Sequence, residues 1–514
     1  MIPEGTSLAG YWTDLHSKKG DLLERSEQYA RWTIPAIFPR DKTFSETPEE
    51  SENSNVAIGA RLVNHLSHRI VDTMFPNDKP FFAVNLTPEA KQKFEQESAL
   101  EAQQLFDESL ISLENAAMRN FGLTQYRPLA VEAVSLQIVT GNALIFRLQN
   151  GVRIVYSVRD YSVTRDIAGE LQEVIIRDKK LFKNLPEHIK EAINTQPRAK
   201  QYKNEDHTVL YSYYWLEDGK WKSRQAVDDV EIQDSRTSFS KADFPILVLT
   251  WNLGRGDHYG RGLVEDYAVT FHNLDIMTEA MIDLIGIASD IKFLVNDTST
   301  FDVDAWNNAK RGEYLPGKEG DITVPQFKFA IEVQFLADSI AKAERELSQA
   351  FLLSSAGVRD AERVTAEEIR FMAREIESAF GGLYSRLALD WQKKEAEYEL
   401  AQLDFKDFLP KEGAPFEVIV VAGLESLSRD GKLESIRLAV ADLQMLDAVP
   451  QEIRDTINPS KFAQFIFRNR GVDANNFLFT EQQIQERQQL ALQQQQELQR
   501  SQGEVDVATK AATQ

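Results

Sequence analysis

Residues that could do chemistry are sparse in this chain, and each arrangement of them lacks a part that its reaction needs. Gly312-Glu-Tyr-Leu-Pro-Gly317-Lys318-Glu319 has nearly the spacing of a phosphate-binding loop. Glu319, however, stands where a hydroxyl must reach Mg²⁺, and the residues up to Pro325 cannot open the helix that would receive a phosphate. An ordinary turn is the better reading. His65 and His68, with Asp72 four residues on, could face one metal ion. No third histidine is near and His65 flanks an apolar face, so packing or surface hydrogen bonding is the expected role. Gly254-Arg255-Gly256 and Gly260-Arg261-Gly262 could form an anion-binding turn, but the simpler expectation is a sharp strand-to-helix reversal. No nucleophile elbow and no His-Glu-x-x-His pair occurs. There is no cysteine among 514 residues, which excludes disulfides, thiolate metal sites and cysteine nucleophiles. The chain reads as a non-enzyme with no catalytic, cofactor-binding or metal residues.

The length corresponds to about three domains of ~150 residues, and 42% hydrophobic with 10% aromatic content is that of a folded protein. A net charge of −22 argues against a surface that grips nucleic acid, though not against one that handles DNA without holding it. The longest apolar runs, Ile246–Leu249 and Val418–Ala422, fall far short of the ~20 residues of a membrane span. The N-terminus shows no signal-peptide pattern, so the expectation is a reducing cytoplasm or something assembled there.

Spacing predicts the elements that must position any function. Residues 6–31 read as one helix. Ile58, Leu62, Val63, Leu66, Ile70 and Met74 mark a second, and Thr87-Pro88 opens a long third that closes at Gly122. A further helix covers about 126–139. From Gly141 the texture changes to short β-branched runs over 143–178 and 208–251, read as an antiparallel meander around a helix at 186–194. Residues 262–289 form a helix that is apolar around most of its circumference, which must be buried by its own chain or by neighbouring subunits. Short strands and turns fill 290–332, helix returns at 333–353, and 365–402 is a long helix interrupted at Gly381-Gly382. A β segment at 416–422 precedes a helical C-terminal part, and half of residues 481–502 are glutamine.

One loop stands out. Leu353-Ser354-Ser355-Ala356-Gly357-Val358-Arg359-Asp360-Ala361-Glu362-Arg363-Val364-Thr365 lies between two long helices. Gly357 would release the first helix, and Thr365 with Glu368 forms a capping box for the second. Read from the residues alone, this is a helix–helix connector carrying two arginines.

The helical N-terminal part, the run Arg127–Phe146, the run Tyr259–Tyr267 and Glu362-Arg-Val-Thr-Ala-Glu-Glu-Ile-Arg370 together resemble the portal, or head-to-tail connector, of short-tailed, podovirus-type bacteriophages, from about residue 10 to 400. The resemblance implies an α+β, mainly α, ring-forming subunit. Residues 1–260 would be a wing, helical to 140 and β-rich over 141–260. Residues 261–290 would be a stem helix, 291–332 a small α/β clip and 333–353 a second stem helix. Residues 354–364 would be the tunnel loop, 365–430 a long kinked helix and wing return, and 431–514 a helical crown with its Gln-rich tail. It further implies a homo-oligomer, usually a dodecamer, at one capsid vertex of the virion, with double-stranded DNA packaged and ejected through the axis. The partners would be the terminase ATPase, major capsid and scaffolding proteins, tail or adaptor proteins and internal core proteins, with no membrane. The site residues would then be Ser354, Ser355, Gly357, Arg359 and Arg363 in the tunnel loop. Trp306, Tyr314 and Arg311 would dock a partner at the clip, and Ile282 and Ile285 would lie in the ring interface. Another ring-forming virion protein, such as a tail adaptor, is the alternative.

Overall fold

The computed structural model describes residues 6–39, 54–76, 80–86, 100–148, 151–194, 202–241, 243–289, 294–296, 302–318, 320–323, 330–353, 374–380, 382–403 and 416–420, with a few residues between 441 and 466. The chain divides into two units between Gly423 and Leu424. In the second, residues 461–463 and 465–466 are helical and bury Ala463 and Ile466.

The first unit begins with two helices where the spacing predicts one: α1 (Leu8–Ser17) and α2 (Gly20–Trp32). The break falls at Lys19, whose φ of −106° and ψ of 15° leave the helical region. Its ammonium is buried, donates to the carbonyl of Val158 at 2.6 Å and lies 5.1 Å from the Trp12 ring. A cation so placed must keep its acceptors and its aromatic face, and satisfying them outweighs an unbroken helix. Burial also pushes the Lys19 pKa well below its usual value.

Helix α3 (Ile58–Met74) buries Leu62, Val63, Leu66, Ile70 and Met74 completely. Strand β1 (Phe82–Leu86) follows, then α4 (Leu100–Leu123) and α5 (Tyr126–Thr140). The Thr87-Pro88 helix start lies outside the described residues. The expected meander resolves into two sheets. Strands β2 (Asn142–Arg147) and β3 (Arg153–Tyr156) precede the five-stranded run β4 (Tyr161–Arg165), β5 (Leu171–Leu181), β6 (His207–Glu217), β7 (Lys220–Val227) and β8 (Val230–Phe239), with α6 (Glu187–Asn194) between β5 and β6. Strand β9 (Ile246–Thr250) returns to pair antiparallel with β2, giving a separate sheet ordered β3-β2-β9. The five-stranded sheet alternates with period two: Leu210 and Val227 pack on Ile189 and Ile193 of α6, and Tyr211 and Ala226 pack on Leu8 and Trp12 of α1.

Then come α7 (Leu263–Asp266), α8 (Ala268–Ser289), β10 (Leu294–Val295), α9 (Val303–Asn308), β11 (Ile322–Thr323) and α10 (Ala330–Ala350). Residues 374–380 are helical. Helix α11 (Leu383–Leu387), a π turn over Ala388–Lys393 and α12 (Lys394–Ala401) follow, and β12 (Phe416–Val420) pairs antiparallel with β1. The glycine interruption is a complete break, because Gly382 sits at φ +86°, a conformation that cannot continue a right-handed helix.

The core of this unit is aromatic. Phe75 meets Phe81 at 5.1 Å and Trp391 at 5.4 Å, and Phe121 meets Tyr126 at 4.6 Å. Trp391 lies in the π turn and donates through Nε1 to the Tyr126 hydroxyl. Beside it, Glu395 accepts from Arg147 at 3.0 Å and from Arg153 Nε at 2.6 Å, while Glu399 pairs with Arg153. The rings of Tyr126 and Tyr398 cover the Arg153 guanidinium. Helix predominates over strand, and no sheet among the described residues closes into a barrel.

Candidate functional site: a helical pair, its base and its tip

The base of the pair is a backbone-to-backbone junction. Helix α5 ends at Gly141, at φ +79°. Asn142 then donates through Nδ2 to the Gly260 carbonyl at 2.8 Å and accepts the Gly260 amide at 2.7 Å. A Cβ on Gly141 would come within 2.4 Å of the Gly260 oxygen, and one on Gly262 within 2.6 Å of the Ile138 oxygen. The glycines at 260 and 262 therefore serve close approach rather than a left-handed reversal; that conformation belongs to Gly256, at φ +80°. The runs 127–146 and 259–267 thus meet at this point and launch α7 and α8.

Helices α8 and α10 pack antiparallel, since Phe351 at the end of α10 contacts Tyr267 and Phe271 at the start of α8. Phe271 also stacks on Trp32 at 6.3 Å. Burial falls away from this base. Phe271, Leu274, Leu347 and Phe351 are buried, whereas Ile282 is 54% exposed, Ile285 46%, Ile331 81% and Phe335 70%. The all-round apolar pattern of 262–289 is thus only partly covered by the chain itself. Between these apolar groups the two helices carry seven carboxylates and only two cations, Lys342 and Arg345.

At the tip, β10 and β11 form a ladder of two residue pairs, Leu294↔Thr323 and Val295↔Ile322. Asp302 caps α9, accepting the amides of Asp304 and Ala305 at 3.0 Å. Trp306 is 47% exposed, Tyr314 fully so, and Arg311 is exposed beside them. The described part of the phosphate-loop near miss, residues 312–318, opens no helix, and Gly312 sits at positive φ.

The other end of α10 adjoins the small-residue loop. The expected helix stop at Gly357 comes earlier: Leu352 adopts φ +58°, its amide bonds to Gln349 and the Leu353 amide reaches back to Ser348 at 2.8 Å. This is a Schellman closure with leucine in the glycine position, at a cost of about 1–2 kcal/mol. Ser354, Ser355, Gly357, Arg359 and Arg363 lie outside the described residues, as does the Thr365 capping box. On either side of them, Arg69 of α3 donates from Nη1 to the Leu352 carbonyl at 3.0 Å and pairs through Nη2 with Glu375. His65, one turn earlier, also hydrogen-bonds the Leu352 backbone; burial and the Arg69 charge lower its pKa. His68 is exposed and Asp72 pairs with Arg127, so the two histidines and the aspartate have separate employments. Among the described residues no group of three metal-ligating side chains occurs. No described helix is long and apolar enough to cross a membrane. Arg69 was not singled out by sequence pattern, since a lone arginine on an apolar helix face shows no spacing signal.

A subunit with uncovered apolar helix faces is a building block made to associate. The chain belongs to the family of bacteriophage head to tail connecting proteins, whose model matches residues 6–478. It is 28% identical to the portal protein of Enterobacteria phage SP6 over 494 residues, covering 96% of this chain and 93% of that one. With the portal protein of Escherichia phage T7 the identity is 29% over 486 residues, covering 92% and 88%. With that of Pseudomonas phage phiKMV it is 28% over 492 residues, covering 93% of each. The chain is a portal-type connector between head and tail, as its resemblance to the connectors of short-tailed phages implies.

Proposed function

We propose that this chain assembles into a ring, usually of twelve copies in the family it resembles, at one vertex of the capsid, and that double-stranded DNA is packaged and later ejected through the ring axis. The observation that carries the reading is the uncovered apolar surface of α8 and α10, with Ile282 and Ile285 about half exposed on a helical pair fixed at its base. Apolar patches of this extent are costly on a lone subunit, and a second copy would cover them. In this reading α8 and α10 are the stem, 291–332 the clip, 354–364 the tunnel loop, 1–260 with 365–430 the wing, and 431–514 the crown. The excess of carboxylates on the stem helices supports a bore that repels the phosphate backbone at close range, so that DNA slides without sticking. Trp306, Tyr314 and Arg311 form an aromatic, solvent-facing tip suited to a protein partner: first a terminase ATPase, which would supply the motor chemistry, and later the tail or its adaptor. The capsid and scaffolding proteins would surround the wing, and internal core proteins the crown. Negative-stain microscopy of the purified chain tests the assembly. Rings with a central hole are expected; monomers at micromolar concentration would refute it.

A further inference from the structure

The 354–373 stretch is flanked by two residues that share a single partner. Leu352 lies two residues before it and Glu375 two residues after it, and both bind the guanidinium of Arg69, one through its carbonyl and the other through its carboxylate. Arg69 is 7% exposed and belongs to α3, which is itself tied down on several sides. Ser67 bonds to Ser135 of α5 at 2.8 Å, and the carbonyls of Thr73 and Met74 accept from Tyr384 of α11 and Gln392 of the π turn, beyond the Gly382 break. Two donor groups of one planar fork therefore reach two chain ends that belong to different helices, from a strut that is also anchored to α5. Lysine could not do this, because its ammonium is a single point charge on a flexible stem. The left-handed Leu352 fits the same picture: a residue held in a disfavoured conformation persists when its surroundings over-determine it, and here its carbonyl is held from α3.

We propose that Arg69 is a positioning residue that sets the separation of the two ends of the 354–373 stretch and references both to α3. Its consequence for DNA rests on the reading of 354–364 as the tunnel loop. A constriction has a defined width only if its ends are fixed, so loss of the clasp should alter DNA passage or retention without abolishing assembly.

The absence of cysteine makes the distance between the two ends directly measurable. Spin labels at Leu353→Cys and Arg374→Cys, in labelled subunits diluted into full-length unlabelled assemblies, should give one narrow distance distribution. Arg69→Ala should broaden it or shift it outward by several ångströms, and Glu375→Gln, which preserves shape and removes only the ionic half, should do so partially. Arg69→Lys should fail to restore the narrow distribution. An unchanged distribution in both Arg69→Ala and Glu375→Gln would overturn the proposal; if Arg69→Ala does not fold, Glu375→Gln decides alone. Packaged-DNA length in particles carrying Glu375→Gln separates the two readings. A broadened distance with altered DNA length supports the clasp and its bearing on the channel. A broadened distance with full-length DNA at normal yield leaves the clasp standing and removes the tunnel-loop reading.

Discussion

Replacing Ile285 or Ile282 by aspartate should abolish assembly while sparing the subunit. Within one subunit these side chains are 46% and 54% exposed, so about half of each remains to be buried by a neighbour. Full burial of an isoleucine side chain is worth about 1.5–3 kcal/mol, so truncation to alanine should remove only ~1 kcal/mol per interface. Aspartate adds a different effect: a carboxylate taken out of water without a partner costs several kcal/mol per ion. Each subunit of a ring meets two neighbours, and the loss recurs at every interface, which amplifies it. The folded subunit should hardly notice, because the positions are already half in water and surface substitutions of this kind fall near ±0.5 kcal/mol. Multi-angle light scattering at several concentrations reads the assembly, and circular dichroism melting reads the fold. Intact rings for both aspartate variants, or subunits that unfold before they dissociate, would show that these isoleucines do not face a neighbouring copy.

Three further predictions test other parts of the molecule. Trp306→Ala should leave rings formed but impair packaging or tail attachment; normal virion yield would remove the docking role of the tip. Arg359→Ala should leave folding and assembly unchanged and alter the length of DNA retained late in packaging, with an effect that weakens as salt rises. Full-length genomes together with a lowered melting temperature would instead make that arginine part of a plain connector. Glu395→Ala should destabilise the first unit by about 3–5 kcal/mol, because it strands two buried guanidiniums, of which only Arg153 keeps a carboxylate; a denaturation midpoint within error of the parent would refute this.

Elements with dense local periodicity were legible in the sequence. The 126–139 helix and the 186–194 helix are specified by their own spacing, and the structure holds them nearly where that spacing puts them, whereas the apolar 262–289 stretch is helical but divided at Tyr267 into α7 and α8. What was not legible is what depends on distant partners. The break at Lys19 requires the carbonyls of Val158 and Tyr161. The division of the strands into two sheets requires β9 to choose β2 over its sequence neighbour β8. The helix end at Leu352 has no glycine to announce it, and its carbonyl is held by Arg69, 283 residues away in sequence. Apolar patterning left the cover of 262–289 open between its own chain and neighbouring subunits, and family resemblance favoured the second; neither could locate the ionic groups that hold the chain ends in place.

The two legs of the helical pair are mounted differently. The outgoing leg starts from the junction where Asn142 and Gly260 exchange hydrogen bonds in both directions and glycines allow backbone to touch backbone. The returning leg ends in ring contacts and one guanidinium. The first mounting is backbone on backbone, and the second is side chain on backbone through the Arg69 fork. A load carried down the returning leg would therefore pass through one guanidinium into α3, whereas a load on the outgoing leg passes straight into the end of α5. The two legs have separate foundations, and a single substitution can loosen one without touching the other.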